Sequence, residues 1–111
     1  MAQRFGNIVV EIAKLCDYCL SDTHPRGRHK ARIFRSRLGL TANDAELLRQ
    51  TLLNAARDRQ DDLQPTDADE FGQRYVLDFE LTTAVGNAMV RSAWIVLAGQ
   101  DVLRLISCYV L

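Results

Sequence analysis

The chain has 111 residues, 48% of them hydrophobic and 25% charged, with 14 basic and 14 acidic side chains. That length supports one domain, 1–111, with a core of its own and no disulfide staples, and the neutral balance excludes a generally sticky binder of nucleic acid or membrane, so any such binding must be local. Three cysteines with no secretory leader read as reduced thiols. The opening run has one arginine, Arg4, and is broken by Glu11 and Lys14; with no signal-peptide core and no apolar stretch of ~20 residues, it leads us to expect a cytoplasmic protein with no membrane partner.

In chain order, Ile8, Ile12, Leu15, Cys16, Cys19 and Leu20 fall at helical spacing and predict a first helix. The β-branched "NIVV" at its start can begin as a short strand. Ser21, Asp22 and Thr23 suit a helix end, and Pro25 turns His24 away from helical geometry. A second helix is expected from about Arg28 to Leu38, with Ala31, Phe34 and Leu38 as its buried stripe, Ile33 at the margin and Gly39 as its C-cap. Thr41 with Asp44 three residues on makes a capping-box-like start to a third helix, whose Ala45, Leu48, Leu52 and Ala55 carry it to about Asp58. The helical part thus spans about 8–58. Residues 59–71 read as an acidic loop with Pro65.

From there the period is two. Tyr75, Leu77, Phe79 and Leu81 alternate with Arg74, Val76, Asp78 and Glu80, a half-buried strand. "TTAVGN" turns a hairpin into a strand over 88–97, and "AGQD" leads to a third strand over 102–111, both apolar on two faces. The expected fold is α+β: three N-terminal helices packed on a three- or four-stranded antiparallel meander over 72–111. The far face of that sheet needs a cover, and a homodimer partner is one candidate.

The charge is unevenly placed. Arg26, Arg28, Lys30, Arg32, Arg35 and Arg37 gather between Asp22 and Asp44 with no acid among them. A helix N-terminus attracts anions, and cations there oppose the helix dipole unless an anion is present. Arg26, Arg28, Arg32 and Arg35 are therefore candidates to bind phosphate or RNA. The ordinary reading is a solvated face paired with the acidic run Asp58, Asp61, Asp62, Asp67, Asp69 and Glu70. Cys16, Cys19, His24 and His29 read C-x2-C-x4-H-x4-H, near a zinc knuckle. The two cysteines continue the apolar stripe of Ile12 and Leu15, and no glycine lies between Cys19 and His24, so no metal and no cofactor are expected. A redox C-x-x-C lacks a leading strand. A helix–turn–helix over 32–58 would put Asn43, Asp44 and Glu46 against phosphates. For metal-independent RNA cleavage, His24, His29, Lys30, Arg28, Arg91, Ser92 and Tyr109 supply the acid, base and cation types needed.

Two stretches carry a family resemblance. The first reads K-L-x-x-Y-x-L, then H-P-x-G-x-x-K-A-x-x-F, then L-G, in Lys14, Leu15, Tyr18, Leu20, His24, Pro25, Gly27, Lys30, Ala31, Phe34, Leu38 and Gly39. The second holds Gly72, Tyr75, Val90, Arg91, Trp94, Leu105 and Tyr109. In these the chain, from Lys14 onward, resembles a bacterial domain of unknown function found free-standing and at the C-termini of toxin-like and phage head-associated proteins. That context, with helices before an antiparallel sheet, is similar to the barnase/colicin-type ribonuclease toxins, an analogy of fold and setting. The resemblance implies His24, Lys30 and Arg91 as the catalytic positions; Cys16, Cys19 and His29 fall outside its pattern. The reading is a ribonuclease-like or RNA- and phosphate-binding toxin-type domain, with catalysis left open. The alternative is a non-enzymatic interaction module that uses the Arg-rich helix on an acidic protein.

Overall fold

In a computed structural model, which describes residues 5–21 and 23–111, the β-branched run near the N-terminus is a strand, β1 (Asn7–Val9). It pairs in parallel with the last strand, Asn7 opposite Val102 and Val9 opposite Arg104. The helix expected from Ile8 therefore starts later. α1 (Ile12–Lys14) passes directly into a π-helical turn over Leu15–Cys19, closed by Leu20 N–H donating 2.7 Å to the Leu15 carbonyl. The wider turn brings Leu15, Cys19 and Leu20 to the core together, while Ile12 stays exposed. Asp22, expected in the following turn, and residues 1–4 lie outside the described residues.

α2 (Arg28–Leu38) and α3 (Ala45–Asp58) form where their periodicity puts them. Ala31, Phe34 and Leu38 are buried, and Gly27 extends the same stripe one turn back. Gly39 ends α2 at φ 69°, with Leu40 N–H reaching back to the Phe34 carbonyl. Thr41 caps a 3-10 turn, Ala42–Asp44, that feeds α3; Asn43 N–H donates to Thr41 Oγ1, and Thr41 N–H donates to Asp44 Oδ2 at 2.9 Å. The buried stripe of α3 ends on Ala56, not Ala55, because Leu48, Leu52 and Ala56 keep a strict four-residue step.

The sheet has five strands and is mixed, in the order β1-β5-β4-β3-β2, where a three- or four-stranded antiparallel meander was expected. β3 (Gly72–Thr82), β4 (Asn87–Leu97) and β5 (Val102–Val110) are the meander. The acidic segment is not all loop: β2 (Gln64–Asp69) pairs with β3 as an exposed edge, with an irregularity between Pro65 and Ala68. Edge strands tolerate proline and charge, because only one side of the backbone is bonded. β1 adds the parallel pair at the other edge.

One face of the sheet meets the helices. Leu77, Phe79, Val90, Trp94, Leu103, Leu105 and Cys108 are buried there with Leu15, Phe34, Leu48 and Leu52. A bulge in β5, opposite Ala93 and Trp94, resets the alternation so that Cys108 and Val110 rejoin Leu103 and Leu105 on the inner face. Buried Ser92 receives the Trp94 indole N–H at 2.8 Å and donates to the Leu77 carbonyl at 2.8 Å. The outer face keeps Val76, Ala93, Ile95, Met89, Arg74, Arg91 and Arg104 partly or fully exposed.

Candidate functional site

His24 is built into the start of α2. Its Nδ1 accepts from the backbone N–H of Arg26 and of Gly27, each at 3.0 Å, and its carbonyl accepts from Arg28 N–H at 3.0 Å. Pro25 sets the turn that brings those donors round, and His24 serves as the side-chain acceptor that Gly27 at the N-cap cannot be. An Nδ1 that accepts two N–H bonds assigns the ring hydrogen to Nε2. The ring stands edge-on to Tyr18, with centroids 4.8 Å apart and planes at 89°. Gly27 is required by the same packing: a Cβ there would lie 2.2 Å from the Tyr18 carbonyl oxygen.

Two tyrosines then link the three predicted catalytic residues. Lys30 Nζ donates to Tyr18 Oη at 3.3 Å and stands 5.2 Å from the ring centroids of both Tyr18 and Tyr109. Tyr109 lies directly opposite Arg91 across β4 and β5. Arg91 grips Asp78 of β3 with two bonds, Nε and Nη2, each 2.8 Å. That fork holds the Asp78 carboxyl below its usual range and raises the guanidinium.

The chain of contacts is continuous, yet it does not surround one cleft. His24 and Tyr18 border a groove of about 520 Å3 with Glu11, Lys14, Asp17 and Ile106. Arg91 and Asp78 border a separate hollow of about 330 Å3 with Asp62, Gln64 and Thr66.

The arginines lie outside this network. Arg28, Arg32 and Arg35 recur along one exposed face of α2, and Arg26 is exposed just ahead of it. The acids of the following segment are engaged by other cations. Asp58 pairs with Arg57, Asp62 with Arg59, and both Asp67 and Asp69 with Arg74. None of these partners belongs to α2, so the pairing of basic helix with acidic run does not occur in these four cases.

The remaining motifs are spent structurally. Cys19 is fully buried, and its thiol meets that of Cys108; donation to Cys19, together with burial, pushes the Cys108 thiol well up. Cys16 is half-buried beside Asp17, and His29 is exposed. Among the described residues no three metal-ligating side chains converge. At the start of α3, Asp44 closes the capping box and Glu46 binds Arg49 and Gln50, which keeps carboxylates where a DNA-reading helix needs cations. Sequence reasoning passed over the binding partners Tyr18 and Asp78. Tyr18 was legible only as one residue of the family pattern, and Asp78 only through a strand register that local sequence does not carry.

Among the described residues no helix is long and apolar enough to cross a membrane. A family described as a domain of unknown function, DUF6883, matches residues 2–111. Neither curated proteins nor solved structures give a match to the chain.

Proposed function

The chain belongs to the DUF6883 family, a domain of unknown function, and from that premise we propose that it binds the phosphate backbone of RNA through the exposed face of α2. Arg26, Arg28 and Arg32 are the contacts. The observation that carries the reading is where the neighbouring acids go: Asp58, Asp62, Asp67 and Asp69 pair with Arg57, Arg59 and Arg74, not with α2. Arg26 and Arg28, at the start of α2, are electrostatically unfavourable on their own and favourable with an anion laid across them.

The reading is binding without strand scission. A general base needs a free lone pair, and in His24 that lone pair is taken by two backbone donors. Lys30 is held between the two tyrosine rings and Arg91 is held by Asp78, so both are engaged within the fold. The ribonuclease-toxin version of the reading requires His24 to leave its cap.

Fluorescence anisotropy with a labelled single-stranded RNA of about 20 nucleotides tests the proposal. Affinity should fall steeply with salt, since each neutralised phosphate of a single strand adds about 0.7 to the slope of log affinity against log salt. The double variant R28Q/R32Q, both positions exposed, should lower that slope by about 1.4. A flat titration at low salt, or an unchanged slope in the variant, overturns the proposal. Gel analysis of the same RNA, with and without chelator and with His24→Ala and Lys30→Ala, reads cleavage directly. Binding to an acidic protein but not to RNA would move the function to the interaction reading.

A further inference from the structure

We infer that two copies of this chain pack sheet to sheet, through the face of β3, β4 and β5 that the helices leave bare. The cross-strand register lays out that face in rows. Asp78, Arg91 and Tyr109 form one row; Val76, Ala93 and Ser107 the next; Arg74, Ile95 and Arg104 the third. Beyond the first row lie Glu80 and Met89, the latter 43% exposed. An antiparallel sheet with a solvated face alternates apolar inside and polar outside. Here the outer positions of β4 beyond Asn87 are instead Met89, Arg91, Ala93, Ile95 and Leu97, with Arg91 alone charged. The Nε of Arg104, on the same face, is buried and has no hydrogen-bond partner among the described residues.

Charge and size both point to a second copy as the occupant. The ion pairs on or beside this face are internal, Arg91 with Asp78 and Arg74 with Asp67 and Asp69. A polyanion therefore finds no surplus of positive charge here, unlike on α2. What the face offers is an apolar centre rimmed by both signs. Arg104 on β5 and Glu80 on β3 sit on opposite sides of that centre, so a two-fold copy meets each with its opposite. β3 and β4 each have 11 residues. At about 3.3 Å per residue, and about 4.8 Å between strands from β5 to β2, the face projects roughly 600–700 Å2. That is the scale of the ~800 Å2 per partner buried in a standard stable interface.

Face-to-face packing would stack the two sheets about 10 Å apart. The helices of both copies, and so both arginine rows, would be turned outward. The inference does not depend on those rows binding RNA.

Sedimentation or light scattering over about 1–200 µM measures the outcome. Wild type should approach twice the 12.6 kDa of one chain. Ala93→Arg puts a guanidinium at the centre of the face, where the monomer leaves it in water; it should keep its thermal melt but run as a monomer. Leu47→Arg, at a site 57% exposed on α3, should leave the dimer intact. Arg104→Glu should weaken association at least tenfold, and the double exchange R104E/E80R should restore it. A wild type that stays monomeric throughout overturns the inference. So does a folded Ala93→Arg of unchanged mass. If Ala93→Arg fails to fold, the charge exchange decides: no loss with R104E, or no recovery in the double variant, is again a refutation.

Discussion

Replacing His24 with alanine separates a structural histidine from a reactive one. The side chain does two things in the fold: Nδ1 accepts from Arg26 N–H and Gly27 N–H at 3.0 Å each, and the ring meets Tyr18 edge-on at 4.8 Å. Loss of a helix-start acceptor costs about 1 kcal/mol, and loss of an edge-to-face aromatic pair about 1 kcal/mol more. The sum, about 2 kcal/mol, lowers the midpoint of a domain this size by on the order of 10 °C. The assay is a thermal melt followed by far-UV circular dichroism, with urea titration to confirm that the change is in midpoint and not in slope. His24→Asn gives the discriminating comparison. An asparagine oxygen can accept from the N–H two residues on but cannot reproduce the ring contact, so it should recover about half the loss. In both variants the salt dependence of RNA binding should stay near wild type, because the arginines are untouched. Were His24→Ala to melt within about 2 °C of wild type while abolishing activity on RNA, the capping argument would be wrong and the histidine would belong to the chemistry.

Two further outcomes follow from the sheet. Ser92→Ala removes the acceptor of the buried Trp94 indole N–H and a donor to the Leu77 carbonyl; an unsatisfied buried donor costs about 1–3 kcal/mol, so the urea midpoint should fall, the tryptophan emission should report the altered site, and an unchanged midpoint would deny the bond its role. For acid stability, the Asp78 carboxyl is held below its usual range by the two bonds from Arg91, so its contribution is complete above the unfolded value of about 3.9 and is lost as pH falls through the lower folded value. Melts should therefore be level from neutrality to about pH 4 and decline below it, and Asp78→Asn, already without that carboxylate, should decline less steeply; parallel acid limbs would remove Asp78 from the linkage.

How much of this was legible depended on whether a feature was local. α2 and its glycine cap, the Thr41–Asp44 box and the three long strands are each specified by residues within a few positions of one another, and each lies where the periodicity put it. The features that escaped are bonded across distance. β2 has the composition of a loop, and only the backbone of β3 makes it a strand. The short strand that "NIVV" suggested is there as β1, but its parallel partner lies more than ninety positions away and no local pattern shows it. The π-helical turn shifts the first helix by a residue that no pattern announces. The Arg91–Asp78 fork needs a hairpin register before the two can be seen as neighbours.

The site divides along the same line, and the division bears on function. In the stretch from Tyr18 to Gly39, the residues that carry the family resemblance are the ones the fold consumes. Tyr18 meets His24 edge to face, His24 caps α2, Gly27 admits the Tyr18 carbonyl, Lys30 sits between rings, Ala31, Phe34 and Leu38 are core, and Gly39 turns the chain. Arg26, Arg28 and Arg32 occupy open positions of that same pattern and are exposed. A catalytic motif would show the opposite, with the patterned polar groups exposed and free to react. The pattern therefore describes a scaffold that fixes where α2 begins and which way its outer face looks, and the ligand is chosen by the side chains mounted on it. Changing the arginines should alter binding without moving the melt, and changing the patterned residues should move the melt first.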